Sequence, residues 1–210
     1  MFAPLCVGCL NEQVIEAGLD RLATLGFRSA ITSALPEGDA DSYAVAGFEV
    51  TERLWLLARP LFDAPAKQRP RSRRARTRDR NAVLDLDRRA FEAFWQLDDQ
   101  SLSDATTATP RHRYRVVDDA GIVGYSVFGL AGRTGYLQRL AVDPNRRREG
   151  IASALVNDGL RWLTNRGATC AYVNTQIGND RARKLYESLG FALQPRGLVV
   201  MQLDLPLHTR

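Results

Sequence analysis

The stretch that decides the fold is residues 140–191, LAVDPNRRREGIASALVNDGLRWLTNRGATCAYVNTQIGNDRARKLYESLGF. It opens inside an apolar run, Leu137–Val142, that stops at Asp143-Pro144, so the run reads as a strand closed by a turn. A short basic loop with one glycine, Gly150, comes next. Ile151, Leu155, Val156, Leu160 and Leu163 then recur at helical spacing, so a helix starts directly after the loop. Strand, glycine loop and helix in that order leave backbone N–H groups unpaired at a helix N-terminus. Such a terminus holds phosphate through its free donors and the positive end of the helix dipole.

Two motifs in this stretch carry a family resemblance. Arg147-x-x-Gly150-x-Ala152 matches the R/Q-x-x-G-x-G/A signature of the GCN5-related N-acetyltransferase (GNAT) superfamily. Downstream, Asn179-x-x-Ala182-x-x-Leu185-Tyr186-x-x-x-Gly190-Phe191 resembles the second motif of the same family, at the expected distance. The resemblance implies a mixed α/β fold: a mostly antiparallel, splayed sheet flanked by helices and open where the cofactor inserts. It also implies acetyl-CoA as cosubstrate and transfer of its acetyl group to a primary amine by direct attack.

The residue types suit that chemistry. In the family, Leu140, Ala141 and Val142 would pair with the pantetheine amides like an added strand, and the Val142 N–H would polarise the thioester carbonyl. Backbone N–H groups across Arg147, Arg148, Glu149, Gly150, Ile151, Ala152 and Ser153 would take the pyrophosphate, with Gly150 permitting close approach. Arg147 and Arg148 add positive charge beside it. Asn179 would hydrogen-bond the pantetheine arm, or serve as the N-cap of its helix, two compatible roles. Tyr186 would protonate the departing thiolate as general acid; its alternative is packing on an amphipathic helix.

One departure from the family pattern concerns the base. GNAT enzymes often carry a strand glutamate that deprotonates the amine. Here the fourth strand offers Gln138 and the fifth Asn174, Thr175 and Gln176, none of which is a base at neutral pH. Gln138, Asn174 and Thr175 are expected to hold a water chain, the alternative being solvent-facing strand polarity.

An internal repeat marks the first sixty residues. Gly18-Leu19-x-x-Leu22-x-x-x-Gly26 echoes Gly159-Leu160-x-x-Leu163-x-x-x-Gly167, and Tyr43 through Gly47-Phe48 echoes Tyr186 through Gly190-Phe191. This reads as the C-terminal half of a second GNAT-like domain, at residues 1–63, ahead of a linker at 64–73 and a complete domain at 74–210. The first copy has no arginine–glycine loop and carries Pro36 where Asn179 stands, so it is expected not to bind the cofactor.

Composition bounds the alternatives. With 210 residues, 45% apolar and 25% charged, the chain has the makeup of a globular protein with a sizeable core. No apolar run reaches the length of a membrane span, and Met1–Leu10 lacks a basic signal region, so the expected setting is cytoplasmic. Cys6-x-x-Cys9 has no second pair and the histidines are His112 and His208, so no metal is expected. Monomer and homodimer both remain open, and so does the acceptor: a small amine, an aminoglycoside-like compound or a protein N-terminus.

Seven arginines fall between Arg69 and Arg80, and the net charge is +5. Clustered arginine suits nucleic acid, but no aromatic residue interleaves this run, so the charge reads as a solvated strand face. Asp79 is expected to cap a helix running to about Trp95, with a second short helix over Asp98–Thr107. His112–Val117, Gly124–Leu130 and Gly135–Val142 read as a three-strand meander turning at Asp118–Gly121, and Leu198–Leu205 as the last strand. Three function classes follow: an acyl-CoA-dependent N-acyltransferase, a non-catalytic acetyl-CoA sensor suggested by the missing base, and a nucleic-acid-binding module built on the arginine run.

Overall fold

The computed structural model describes residues 12–65 and 72–205. The chain runs α1 (Glu12–Thr24), β1 (Ser29–Ile31), β2 (Leu35–Pro36), α2 (Asp41–Val45), β3 (Glu49–Pro60), β4 (Arg73–Arg74), α3 (Arg80–Ala90), α4 (Asp99–Thr107), β5 (Arg111–Asp118) and β6 (Ile122–Ala131). It continues through β7 (Thr134–Val142), α5 (Ile151–Thr164), β8 (Cys170–Gln176), α6 (Asp180–Ser188), β9 (Ala192–Leu193) and β10 (Leu198–Asp204). Two compact units interleave along it. One takes the chain up to Leu56, Asn174–Arg183 and the chain from Leu193 onward; the other takes Leu57–Val173 and Lys184–Ala192. Cys6, Cys9 and most of the expected linker lie outside the described residues.

In the second unit β4, β5, β6 and β7 form an antiparallel ladder, and β8 joins β7 in parallel. Successive side chains of a strand face opposite sides, and Val116 and Val117 show the consequence. Val116 packs with Val83, Leu84 and Leu86 of α3, Leu102 of α4, and Tyr125, Val127 and Ala141. Val117 packs on the other face with Val123 and with Ile151 and Leu155 of α5. The central strand β6 is therefore buried on both sides from Val123 to Leu130. Each fully buried leucine or valine here contributes about 1.5–3 kcal/mol.

The seat of α5 depends on one glycine. A Cβ on Gly159 would lie 2.2 Å from the Phe128 ring, so only glycine lets the helix descend onto β6 at that point. β7 and β8 pair only over Thr134–Tyr136 and Cys170–Tyr172. The register between β7 and β8 ends at Tyr136 and Tyr172.

In the first unit β10 lies between β1 and β3 and also pairs with β2. Ile15 of α1 packs there with Ala30, Phe48, Val199 and Met201. The local geometry of the two echoing segments is alike. Gly26 and Gly167 end their helices at φ 81° and 78°, and Gly47 and Gly190 do so at 89° and 82°. The Phe48 N–H donates to the Tyr43 carbonyl at 3.0 Å, as the Phe191 N–H does to that of Tyr186. Each aromatic pair meets edge to face, at 5.4 Å and 5.9 Å.

Three local expectations differ from the structure. Helix α3 stops at Ala90 rather than near Trp95, because Phe91 turns to an extended conformation and Ala93–Trp95 form a 3-10 turn. Among the described residues of the arginine run, strand is confined to Arg73–Arg74, and Thr77–Asp79 is a 3-10 turn. Asp79 stands at the N-cap of α3 but its carboxylate faces backward. It accepts from the Arg76 N–H at 2.7 Å and from both Arg73 Nη atoms at 2.7 and 2.9 Å.

Those bonds make Asp79 an acid-sensitive clasp. The Arg73 guanidinium, with the Arg76 N–H, holds its carboxyl down to about 2. A depressed carboxyl contributes stability above its unfolded value, about 3.9, and loses it as pH falls through the folded value. Wild-type stability is therefore expected to decline between about pH 4 and pH 2 through this group, and Asp79→Asn to lose that part of the decline. Urea unfolding across this window checks it; an unchanged acid slope in the variant refutes it.

Candidate active site

The Asp143 N–H donates to the Val123 carbonyl of β6 at 2.9 Å. Alternation along an antiparallel strand then turns the N–H groups of Val142 and Leu140 to the opposite edge. That edge is the one β8 leaves open past Tyr136. Ala141 itself is buried against β6 and α3.

The turn after β7 is tied on both sides. The Asp143 carboxylate accepts from the Asn145 N–H at 2.9 Å and from Arg89 at 2.9 Å, and both hold it below its ordinary range. Arg146 clamps the loop, reaching Glu149 at 2.8 Å and Asp119 at 2.7 Å. Glu149 is thereby bound to a neighbouring side chain, and its i,i+3 spacing from Arg146 was the signal that sequence reading passed over. Arg147 and Arg148 are exposed and have no ion-pair partner among the described residues. Arg148 stands at φ 67°, where non-glycine residues are uncommon, and Gly150 follows at 75°.

Gly150 is the N-cap of α5 and provides no side-chain cap. The Ala154 N–H closes the first turn onto the Gly150 carbonyl at 2.9 Å, so the N–H groups of Ile151, Ala152 and Ser153 precede the first helical bond. Free donors, the helix dipole and the two exposed arginines point one way: to an anion.

Gln138 is the residue at which β7 bulges. Val127 of β6 faces Arg139 and Phe128 faces Leu137, which leaves Gln138 without a partner. Its Oε1 is buried with no hydrogen-bond donor. An unsatisfied buried acceptor is costly and is a place for a ligand or water to donate.

Tyr186 lies in the same unit, 6% exposed, with its ring edge-on to Phe191. Burial pushes its phenol well above the ordinary value, and the Arg139 charge pulls it part of the way back. It is therefore protonated at neutral pH and retains a proton to give. Asn174 and Asn179 belong to the other unit. Asn174 is exposed on β8. The Asn179 carboxamide oxygen accepts from the Ala182 N–H at 3.1 Å, so it does cap α6.

Sequence reading missed the pair that fixes this unit's interior. Asp87 is fully buried and accepts from Arg139 Nε at 2.8 Å and Nη2 at 2.7 Å, from the Leu97 N–H at 2.8 Å and from the Tyr125 hydroxyl. Arg139 also donates to the Trp95 carbonyl at 2.7 Å and lies 3.6 Å over the Phe91 ring. The pair binds α3 and the 91–97 loop to β7 one residue beyond Gln138. A charged residue inside the apolar run of β7 was the available signal, since such a charge is almost never buried unpaired. Asp87→Asn leaves Arg139 without its counter-charge and is expected to cost about 2–3 kcal/mol. Chemical denaturation measures it; a loss under about 0.5 kcal/mol would make the pair an ornament of the surface kind.

This arrangement defines a class of protein. The acetyltransferase (GNAT) family matches residues 80–191, and the chain belongs to that family. Among its relatives is a mycothiol acetyltransferase of Thermobispora bispora, 32% identical over 166 residues, which cover 70% of this chain and 56% of that protein. The N-alpha-acetyltransferase 30 of Homo sapiens is 39% identical over 64 residues, 30% of this chain and 18% of that protein. The chain thus matches little more than half the length of the first relative and a smaller part of the second. A tandem GNAT protein from the clavulanic acid biosynthesis pathway shares the fold at a TM-score of 0.65 and 12% identity, over 92% of this chain and 69% of that one. Among the described residues no helix is long and apolar enough to cross a membrane, and no group of three or more His, Cys, Asp or Glu residues is placed to hold a metal.

Proposed function

We propose that the protein is an N-acetyltransferase that carries acetyl from acetyl-CoA to a primary amine. The observation that carries this is the uncapped first turn of α5, entered through left-handed Gly150 beside two unpaired arginines. The N–H groups of residues 151–153 take the pyrophosphate, and Arg147 and Arg148 neutralise it. The outward N–H groups of Leu140 and Val142 hold the pantetheine arm, and that of Val142 polarises the thioester carbonyl. The amine attacks that carbonyl carbon, the C–S bond breaks, and the Tyr186 hydroxyl gives its proton to the thiolate. Gln138 Oε1 accepts a hydrogen bond from the amine or from a water beside it. No carboxylate base is called for if the amine arrives unprotonated and loses its proton to water.

The relatives suggest the acceptor class, a small amine or a peptide N-terminus. Residues 1–63 are read as a half-domain without a cofactor loop, a reading supported by the matched turns of the two echoing segments, with its strands β1, β2 and β3 completed by β10 from the C-terminal part of the chain. The test is thiol release from acetyl-CoA across a panel of small amines and short peptides with free N-termini. Turnover with any of them supports the reading. Tight acetyl-CoA binding with no turnover across the panel would favour a sensor instead.

A further inference from the structure

We propose that the second unit holds a separate site for a phosphoryl anion, in the cavity between the β4–β5 edge of the sheet and the C-terminal half of α5. The cavity has a volume of about 340 Å³, within the range of small-ligand sites, and Arg74, His112, Arg113, Arg115 and Trp162 line it. It stands apart from the cofactor loop: at 1.5 Å per residue, Trp162 lies about 18 Å along α5 from Gly150. The arginine run that the acetyltransferase reading leaves unused contributes Arg74.

The charge in this cavity does not balance. Asp158 of α5 accepts from Arg113 Nε at 2.7 Å and Nη2 at 3.0 Å, and lies 3.4 Å from Arg115 and 3.6 Å from Arg161. A single carboxylate therefore serves three guanidinium groups. Arg74 has no ion-pair partner among the described residues, so its charge adds to the excess. The Arg115 side chain is only 20% exposed. Burial pushes its guanidinium below the ordinary value; Asp158 opposes this and the Arg113 charge adds to it. Like charges gathered in partly dry surroundings repel one another, and a dianion among them removes that repulsion.

Phosphoryl oxygens fit this set better than one carboxylate does. Arg113 directs its paired Nε and Nη2 donors at Asp158 and Arg115 directs its own at Ser72, so Arg74 supplies the paired guanidinium donors for a phosphoryl group, and the uncompensated charge around it exceeds what a monoanion answers. Trp162 adds a flat apolar wall beside the charges, suited to the ring of an organic phosphate. The phosphoryl group comes either as a free ion or carried on such a ring.

Calorimetry of the full chain with inorganic pyrophosphate, and in parallel with ADP, tests the site. Both probes also suit the cofactor loop, so each titration is repeated in Gly150→Glu, which blocks that loop and keeps this test independent of the acetyltransferase reading. Pyrophosphate is expected to bind Gly150→Glu at one site and to change the tryptophan fluorescence. Arg74→Gln, at an exposed position, is expected to weaken binding about tenfold through loss of a charged hydrogen bond. Trp162→Phe is expected to abolish the fluorescence change while pyrophosphate still binds. Tighter ADP than pyrophosphate assigns a ring-borne phosphoryl group, and equal affinity assigns the free ion. No binding of either probe to Gly150→Glu, or binding indifferent to Arg74→Gln, overturns the site.

Discussion

Gly150→Glu is expected to weaken acetyl-CoA binding by about a hundredfold. Two independent costs combine. Gly150 stands at φ 75°, and a side chain there pays about 1–2 kcal/mol of left-handed strain, in the loop or by shifting it. A carboxylate at the N-cap then faces the pyrophosphate where three N–H donors and two arginines would otherwise welcome it, a repulsion of about 1–3 kcal/mol near a protein surface. Together they reach the stated factor at about 1.4 kcal/mol per tenfold. Gly150→Ala separates the two, since it carries the strain and not the charge; its affinity is expected to fall about tenfold. Calorimetric titration with acetyl-CoA measures both, and thermal unfolding in the absence of ligand shows that each variant is folded. Wild-type affinity in Gly150→Glu would mean that the pyrophosphate does not lie at this loop.

The parts of this site that were legible in the sequence are those where chemistry and backbone constraint coincide in a few consecutive residues. Gly150 marks the loop that lets a ligand come close, the apolar spacing after it announces α5, and the run before Asp143-Pro144 announces β7. Asn179 was open between capping and ligand contact; the structure shows the cap, because its carboxamide oxygen reaches Ala182 N–H within one turn. What the sequence did not yield depends on residues far apart along the chain. Asp87 and Arg139 meet across 52 positions; the spacing of Asp87 from Val83 and Leu84 sets it on the apolar face of α3, unlike the exposed Asp85, but no local pattern names Arg139 as its partner. The end of α3 was overshot for the same reason. Phe91 leaves the helix where Arg139 lies over its ring, and Leu97 N–H returns to Asp87. Gln138 was picked as a polar strand residue, while its bulge depends on the register with β6, which no local pattern encodes.

Tyr186→Phe is expected to lower turnover by about 10²–10⁴-fold, with acetyl-CoA affinity nearly unchanged, because general acid assistance is needed only as the C–S bond breaks. The variant keeps the ring, so the edge-on contact with Phe191 at 5.9 Å and the burial of α6 are retained. The pH dependence separates this role from simple packing. Burial raises the phenol far above neutrality, so the acid stays protonated through the working range and loses its proton only in strong alkali. Wild-type turnover is then expected to show no alkaline decline attributable to Tyr186 up to at least about pH 9, well below the ordinary tyrosine value near 10. In the variant, solvent must protonate the thiolate, so acceptors with faster intrinsic chemistry suffer most. The measurement is steady-state turnover with an acceptor that the wild type uses, paired with calorimetric acetyl-CoA binding. Equal turnover in both proteins would assign the proton to water and leave Tyr186 as a packing residue. A matched fall in affinity and turnover would place the hydroxyl in cofactor binding instead of in the chemical step.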